Sequence, residues 1–179
     1  MALEFPSNLN LEKDIQEILK VFLNDDNLLK FLTIAPISAS DDVTTRPSII
    51  DTKNIQERFN EYYLGIGFQP VFINWGKAPE EDSTLQGRIC FYPTPIGLQD
   101  QVAPTNYIFD VLLPYDWHVK TNVTFKVLRR VVELLKYTHT FGNVGKVGFA
   151  PANAIFTIPN YAGYHIVANT HNFVGWQHG

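Results

Sequence analysis

The residues able to carry proton or metal chemistry in this chain are few and scattered. The five histidines are His118, His139, His165, His171 and His178. None stands four residues from another on an expected helix, the spacing that places two imidazoles on one face. His165 and His171 share one face of an expected strand, but that separation along a strand is ~20 Å, too long for one ion. The lone cysteine, Cys90, lies in the apolar run Ile89-Cys90-Phe91-Tyr92 and reads as a small buried hydrophobe. A single cysteine makes no intrachain disulfide and fits a reducing compartment. The serines are Ser7, Ser38, Ser40, Ser48 and Ser83, and none sits in a Gly-x-Ser-x-Gly elbow. Spacing alone leaves a dispersed triad open. Asp110 interrupts an apolar strand on the side opposite Phe109 and Val111, where a polar sheet face accounts for it.

The glycine motifs fail in the same way. Gly65-Ile66-Gly67 begins a dinucleotide-like pattern, but it follows a helical stretch and Pro70 occupies the third glycine position. Gly142-Asn143-Val144-Gly145-Lys146-Val147 leaves a helix instead of opening one, so it presents no helix N-terminus to a phosphate and reads as a helix end. The acidic run Glu80-Glu81-Asp82 has the chemistry to attract a cation, and reads as a solvated loop. No enzyme activity, catalytic residue, cofactor or metal site is expected.

Composition shifts attention from chemistry to surface. The chain has 179 residues, of which 45% are apolar and only 18% charged. An average soluble domain carries roughly 25% charge. Aromatics reach 13%, from 13 Phe, 8 Tyr and 3 Trp. Those figures exclude disorder, coiled coil and collagen. Few charges with many aromatics suit a surface that meets other protein. The net charge of −4 argues against general nucleic-acid binding, which needs a basic excess. The basic cluster Lys120, Lys126, Arg129, Arg130 and Lys136 is broken by Glu133 and reads as a solvated helix face. The first residues lack a basic stretch followed by an apolar run, so no signal peptide is expected. No apolar run approaches the length of a membrane span. Asn122-Val123-Thr124 matches a glycosylation sequon, which without export reads as chance.

The elements that must position these residues read as α+β. Leu11, Ile15, Ile18, Leu19, Phe22 and Leu23 form a helical apolar stripe, and a short helix is expected over Leu28–Leu32. Residues 36–53 read as an extended polar loop, expected to be an interface arm that orders only in an assembly. A short helix over Asn54–Tyr63 follows, then strands over 70–75, 88–92 and 106–113. The strongest later helix spans Val123–Tyr137, with Val123, Val127, Leu128, Val131, Leu134 and Leu135 as its core stripe. Short strands over 147–149, 154–158 and 164–173 close the chain. The expected architecture is a single domain over 1–179. Its mostly antiparallel sheet carries the two main helices on one face, and 36–53 and 93–105 are extended loops.

The order of these elements carries a resemblance. An N-terminal amphipathic helix (Leu11 to Leu23) precedes a long loop. The strand Arg88-Ile89-Cys90-Phe91-Tyr92 follows, then Ile108-Phe109-Asp110-Val111-Leu112-Leu113-Pro114 leading to Asp116-Trp117. A single helix with Arg129-Arg130-Val131-Val132-Glu133-Leu134-Leu135 crosses over, and Gly163-Tyr164-His165-Ile166-Val167 lies in the last strand. Over roughly residues 10 to 175 this architecture resembles the neck proteins of tailed bacteriophages, most closely the tail terminators. The resemblance implies a structural virion protein, assembled in the host cytoplasm, that forms a ring homo-oligomer, expected to be a hexamer. Such a ring caps the tail tube protein and joins it to the head-side connector protein. DNA passes through its channel without sequence-specific binding, and no membrane is involved. The candidate interface residues are Asp41, Asp42, Arg46, Trp75, Glu80, Glu81, Asp82 and Trp117. The alternatives are another neck component (a connector, adaptor or head completion protein), or a non-viral module binding a small ligand or peptide.

Overall fold

The structure is a computed structural model, and it describes residues 11–67, 69–74, 85–93, 106–137, 147–155 and 159–170. Among the described residues there are five α-helices: α1 (Leu11–Leu23), α2 (Asp26–Thr33), α3 (Ile55–Tyr62), α4 (Tyr115–Thr121) and α5 (Val123–Tyr137). The described residues also form six strands: β1 (Phe72–Ile73), β2 (Arg88–Pro93), β3 (Asn106–Pro114), β4 (Val147–Phe149), β5 (Asn153–Ile155) and β6 (Tyr161–Thr170). They form one sheet in the order β1-β2-β3-β6-β4, with β5 also on β6. Among the described residues, the β1–β2 pair is parallel and the other pairs are antiparallel. The fold is therefore α+β with a mostly antiparallel sheet, as the periodicities predict.

The helix boundaries have local causes. The Asp25 carboxylate accepts a bond from the Leu28 N–H at 2.8 Å and starts α2 two residues before its apolar run. Asn54 and Glu57 form a reciprocal capping box at the start of α3. Asn122 ends α4 with φ of 53°, a left-handed conformation that asparagine tolerates, and so lets α4 turn directly into α5.

The period-2 pattern of β3 divides the sheet into two faces. Tyr107, Phe109, Val111 and Leu113 are buried on one face. Phe22 of α1 lies on that face, with ring centroids 5.6 Å from Phe72, 6.3 Å from Phe91 and 6.1 Å from Phe109. Phe125 of α5 sits 5.2 Å from Tyr164 of β6, which is cross-strand from Val111. The two main helices thus share one side of the sheet. Gly87 marks a close approach at the entry to β2. Its N–H donates to the Leu32 carbonyl at 2.7 Å, and a Cβ there would meet Leu32 Cα at 2.9 Å.

β4 and β5 follow one another along the same edge of β6. Val147 pairs with Thr170 and Asn153 with His165, so β4–β5 uses one residue more than β6 over the same length. The extra residue is a bulge at Ala150-Pro151-Ala152, where proline has no N–H to leave unpaired.

The segment 36–53 departs from the expected free arm. Val43–Thr45 forms a 3-10 turn with Val43 buried. Lys30, 4% exposed, donates to the Thr44 carbonyl at 3.0 Å and pairs with Asp26 at 2.7 Å. Asp26 in turn accepts from the Ile49 N–H at 2.6 Å and the Ile50 N–H at 3.3 Å. A polar loop without periodicity is here docked by two charged side chains of α2, a cause that no pattern inside the loop reveals. The 94–105 stretch lies outside the described residues.

Candidate functional site

The face of the sheet opposite the helices gathers the polar residues that the sequence scattered. Cross-strand register puts Cys90 of β2 beside Asp110 of β3, and Asp110 beside His165 of β6. Tyr92, two residues along β2 and on the same face, completes the group. Asp110 Oδ1 lies 2.6 Å from His165 Nδ1, and Tyr92 OH donates to Asp110 Oδ2 at 3.0 Å. Each carboxylate oxygen therefore has a partner. Which of the two atoms donates across the Asp110–His165 contact is set by the imidazole tautomer. The pair has the geometry of a histidine oriented by a carboxylate.

Neither Cys90 nor Tyr92 supplies a nucleophile to this pair. Burial, and then the Asp110 carboxylate, push the Cys90 thiol up to about 12. The Tyr92 phenol is pushed up to about 12 by the same causes in the same order. Both stay protonated at neutral pH. Cys90 is also buried, so it behaves as the apolar filler its flanking residues predict. Asp110, read from sequence as part of a polar sheet face, has specific partners on both neighbouring strands. An acidic residue inside an apolar strand was the only available signal, because the pairing register that delivers Tyr92 and His165 is not written locally. Among the described residues, no group of His, Cys, Asp and Glu could hold a metal ion.

The candidate interface residues fall into three environments. Asp41, Asp42 and Arg46 sit together at the 3-10 turn. Arg46 Nη2 lies 3.0 Å from both carboxylate oxygens of Asp41, whose Oδ2 also accepts from the Ile37 N–H at 2.8 Å. The Ile37 N–H, with Arg46 assisting, holds the Asp41 carboxyl below its usual range. Asp42 caps the turn by accepting from the Thr44 hydroxyl at 2.7 Å and the Thr44 N–H at 3.1 Å, which also lower its pKa. These three residues have partners in their own chain while remaining at the surface. Trp117 is placed differently from the sequence expectation. It is 7% exposed and belongs to the core cluster, because α4 turns its indole inward beneath β3. Trp75, Glu80, Glu81 and Asp82 lie outside the described residues.

Sequence reasoning missed the exposed apolar side chains; besides Ile37, Ile55 and Leu85, two groups of them stand close in sequence. The first is on the α4–α5 elbow: Tyr115, Val119 at 60% exposure, and Phe125. Tyr115, His118 and Val119 share a helix face by their spacing. Phe125 packs 5.4 Å from His118, whose Nδ1 lies 3.0 Å from the buried Thr124 hydroxyl. The second group follows α3: Leu64 and Ile66, the latter 63% exposed. Helix α4 carries only a short stretch of mixed residues, and this hid the first group. The basic cluster of α5 is partly consumed inside the chain. Arg130 Nε donates to Asp25 at 3.0 Å, and Arg129 Nε donates to Glu133 at 2.7 Å.

Among the described residues, no helix is long and apolar enough to cross a membrane. Comparison with family models, curated proteins and solved structures returns no match to this chain.

Proposed function

We propose that this chain is a structural subunit of a tailed-phage neck, a tail terminator that forms a ring on the head-proximal end of the tail tube. One observation carries the reading: a chain with a packed core of its own keeps large apolar side chains exposed in several separate places, at Ile37, along and after α3 (Ile55, Leu64, Ile66), at Leu85 and on the α4–α5 elbow (Tyr115, Val119, Phe125). A ring subunit needs more than one such place, because each copy offers one patch to the neighbour before it and a different patch to the neighbour after it. The α+β layering, with α1 and α5 on one side of the sheet, agrees with the architecture that the resemblance implies. The net charge of −4 suits a channel through which DNA slides, since like charge gives no counterion-release gain. The partners under this reading are further copies of the chain, in an expected hexamer, the tail tube protein and the head-side connector.

The test is to mix the purified chain with polymerising tail-tube protein and follow it by sedimentation and negative-stain microscopy. The expected result is a ring at one end of each tube and an end to tube growth. Tubes that lengthen unchanged, with the chain left in the supernatant, would refute the reading. The Tyr92–Asp110–His165 group favours a second reading, a module that binds a small ligand or peptide on that sheet face. His165→Ala separates the two: capping persists under the first and has no bearing under the second, where ligand binding is lost.

A further inference from the structure

We infer that the sheet face opposite the helices binds an extended, uncharged peptide segment whose side chains on one side run apolar, amide, apolar. The inference rests on the second reading above, a binding module, and names its ligand. Strand register builds this face in rows. The middle row runs Asp110, His165, Asn153 across β3, β6 and β5. Tyr92, Ile108 and Val167 form the row on one side of it. Leu112, Gly163 and Ile155 form the row on the other side. His165, Ile108, Val167 and Ile155 are part-exposed, and Asn153 is exposed. Gly163 leaves its space to its neighbours: a Cβ there would lie 2.7 Å from Leu112 Cδ2 and 3.2 Å from Ile155 Cβ. Leu112 and Ile155 thus crowd the glycine and make that row apolar.

Charge narrows the ligand. Both oxygens of Asp110 are engaged, Oδ1 with His165 at 2.6 Å and Oδ2 with Tyr92 at 3.0 Å, so a cation finds no free carboxylate edge. The same carboxylate stands against His165 and disfavours an anion there. Arg88, in the Leu112 row, is 4% exposed and donates to Gln69 at 2.8 Å, which withholds its charge from a ligand. The middle row therefore offers an imidazole edge and the Asn153 carboxamide. An amide side chain both donates and accepts, so it meets these two whichever nitrogen of His165 carries the proton. Spacing sets the rest. Same-face residues along a strand lie ~7 Å apart, so the two outer rows are ~13 Å apart with the polar row between them. The side chains on one side of an extended peptide repeat at the same ~7 Å. Laid along β6, such a peptide sets its amide over His165 and Asn153. The apolar side chains two residues before and after the amide then cover the Val167 and Ile155 rows.

The test is an amide-resolved NMR titration of the full chain with a blocked peptide, acetyl-Val-Ser-Asn-Ser-Val-amide. The expected result is saturable shifts at Asn153, His165 and Val167. Replacing the central Asn of the peptide with Asp or Lys should weaken binding roughly five- to tenfold, because the added charge loses its water and gains no partner. Moving each Val of the peptide one position inward should weaken binding as much, since both then point away from the face. In the chain, His165→Ala and Asn153→Ala should each weaken binding by a similar factor. Asn153 is exposed and takes no part in the Asp110 contact, so its variant keeps the test alive should His165→Ala misfold. The absence of saturable shifts on this face with every peptide overturns the inference. So does binding of the offset peptide as tight as that of the first. A charged-centre peptide that binds this face as tightly as the Asn peptide overturns the inference and keeps the binding-module reading. Silence on this face together with tube capping removes both and leaves the ring.

Discussion

Asp26→Ala tests how the 36–53 segment is held. The Asp26 carboxylate receives Lys30 Nζ at 2.7 Å, the Ile49 N–H at 2.6 Å, and the Ile50 N–H and Ser48 hydroxyl at 3.3 Å each. Removing it leaves the Lys30 ammonium, with its side chain 5% exposed, with the Thr44 carbonyl as its remaining polar partner among the described residues. A hydrogen bond to a charged group is worth about 1.5–3 kcal/mol, and stripping one partner from a buried pair costs about 3–5 kcal/mol. Asp26 keeps one-fifth of its side chain in water (20%), which places the cost near the low end of the second range, about 3 kcal/mol. Urea unfolding would read this as a lower midpoint at an unchanged slope. Hydrogen exchange would show faster exchange of the amides of residues 43–50. Adding Lys30→Met should recover much of the loss, because the buried charge goes with its partner. A change below about 0.5 kcal/mol, the range of inert surface substitutions, with unaltered exchange in the segment, would refute the docking argument.

The same carboxylate sets a pH dependence. Burial tends to raise the Asp26 pKa, but the Lys30 ammonium and the Ile49 and Ile50 N–H groups together bring it below its usual 3.8. The folded state therefore binds fewer protons than the unfolded state in that range. Its contribution is complete above 3.8 and is lost as the pH falls through the depressed folded value. The Asp26→Ala variant should lose less stability than the native chain over that acid interval.

Three further predictions follow from the packing. Val127→Asp should abolish folding itself, seen as loss of the cooperative unfolding transition, because Val127 is fully buried on the core stripe of α5; a soluble, cooperatively folded variant would show that the stripe is misplaced. Cys90 should resist thiol reagents in the native chain and react once urea unfolds it, since its thiol is buried and pushed up to about 12; labelling at the rate of a free thiol would contradict this. Gly87→Ala should destabilise by about 1–3 kcal/mol through overpacking, because its Cβ would fall 2.9 Å from the Leu32 backbone; an unchanged urea midpoint would mean that the α2–β2 approach relaxes freely.

Helices α1 and α5 were legible because their apolar residues recur with the helical period and their ends carry local signals. Strand β3 was legible because its alternation is long and proline closes it. The α+β class follows from those elements alone, as does the expectation of an inert Cys90 among apolar neighbours. Helix α4 was not legible: its few residues, with one buried tryptophan, carry too little periodicity to separate from a loop. The docked 36–53 segment was not legible either, because the groups that hold it, Asp26 and Lys30, belong to another element.

Everything that depends on register was decided by the tertiary structure. A strand records which side chains share its face, but not which strand lies beside it, since any strand offers the same backbone hydrogen bonds to any partner. Only the sheet order brings Tyr92, Asp110 and His165 together. The shortage of charge raised the expectation of a surface that meets other protein without saying where exposed apolar side chains stand. The turn of α4 into α5 at Asn122 and the termination of α3 beside β1 decided that Val119 and Phe125 stand on one exposed surface and Leu64 and Ile66 on another, while Trp117 faces the core.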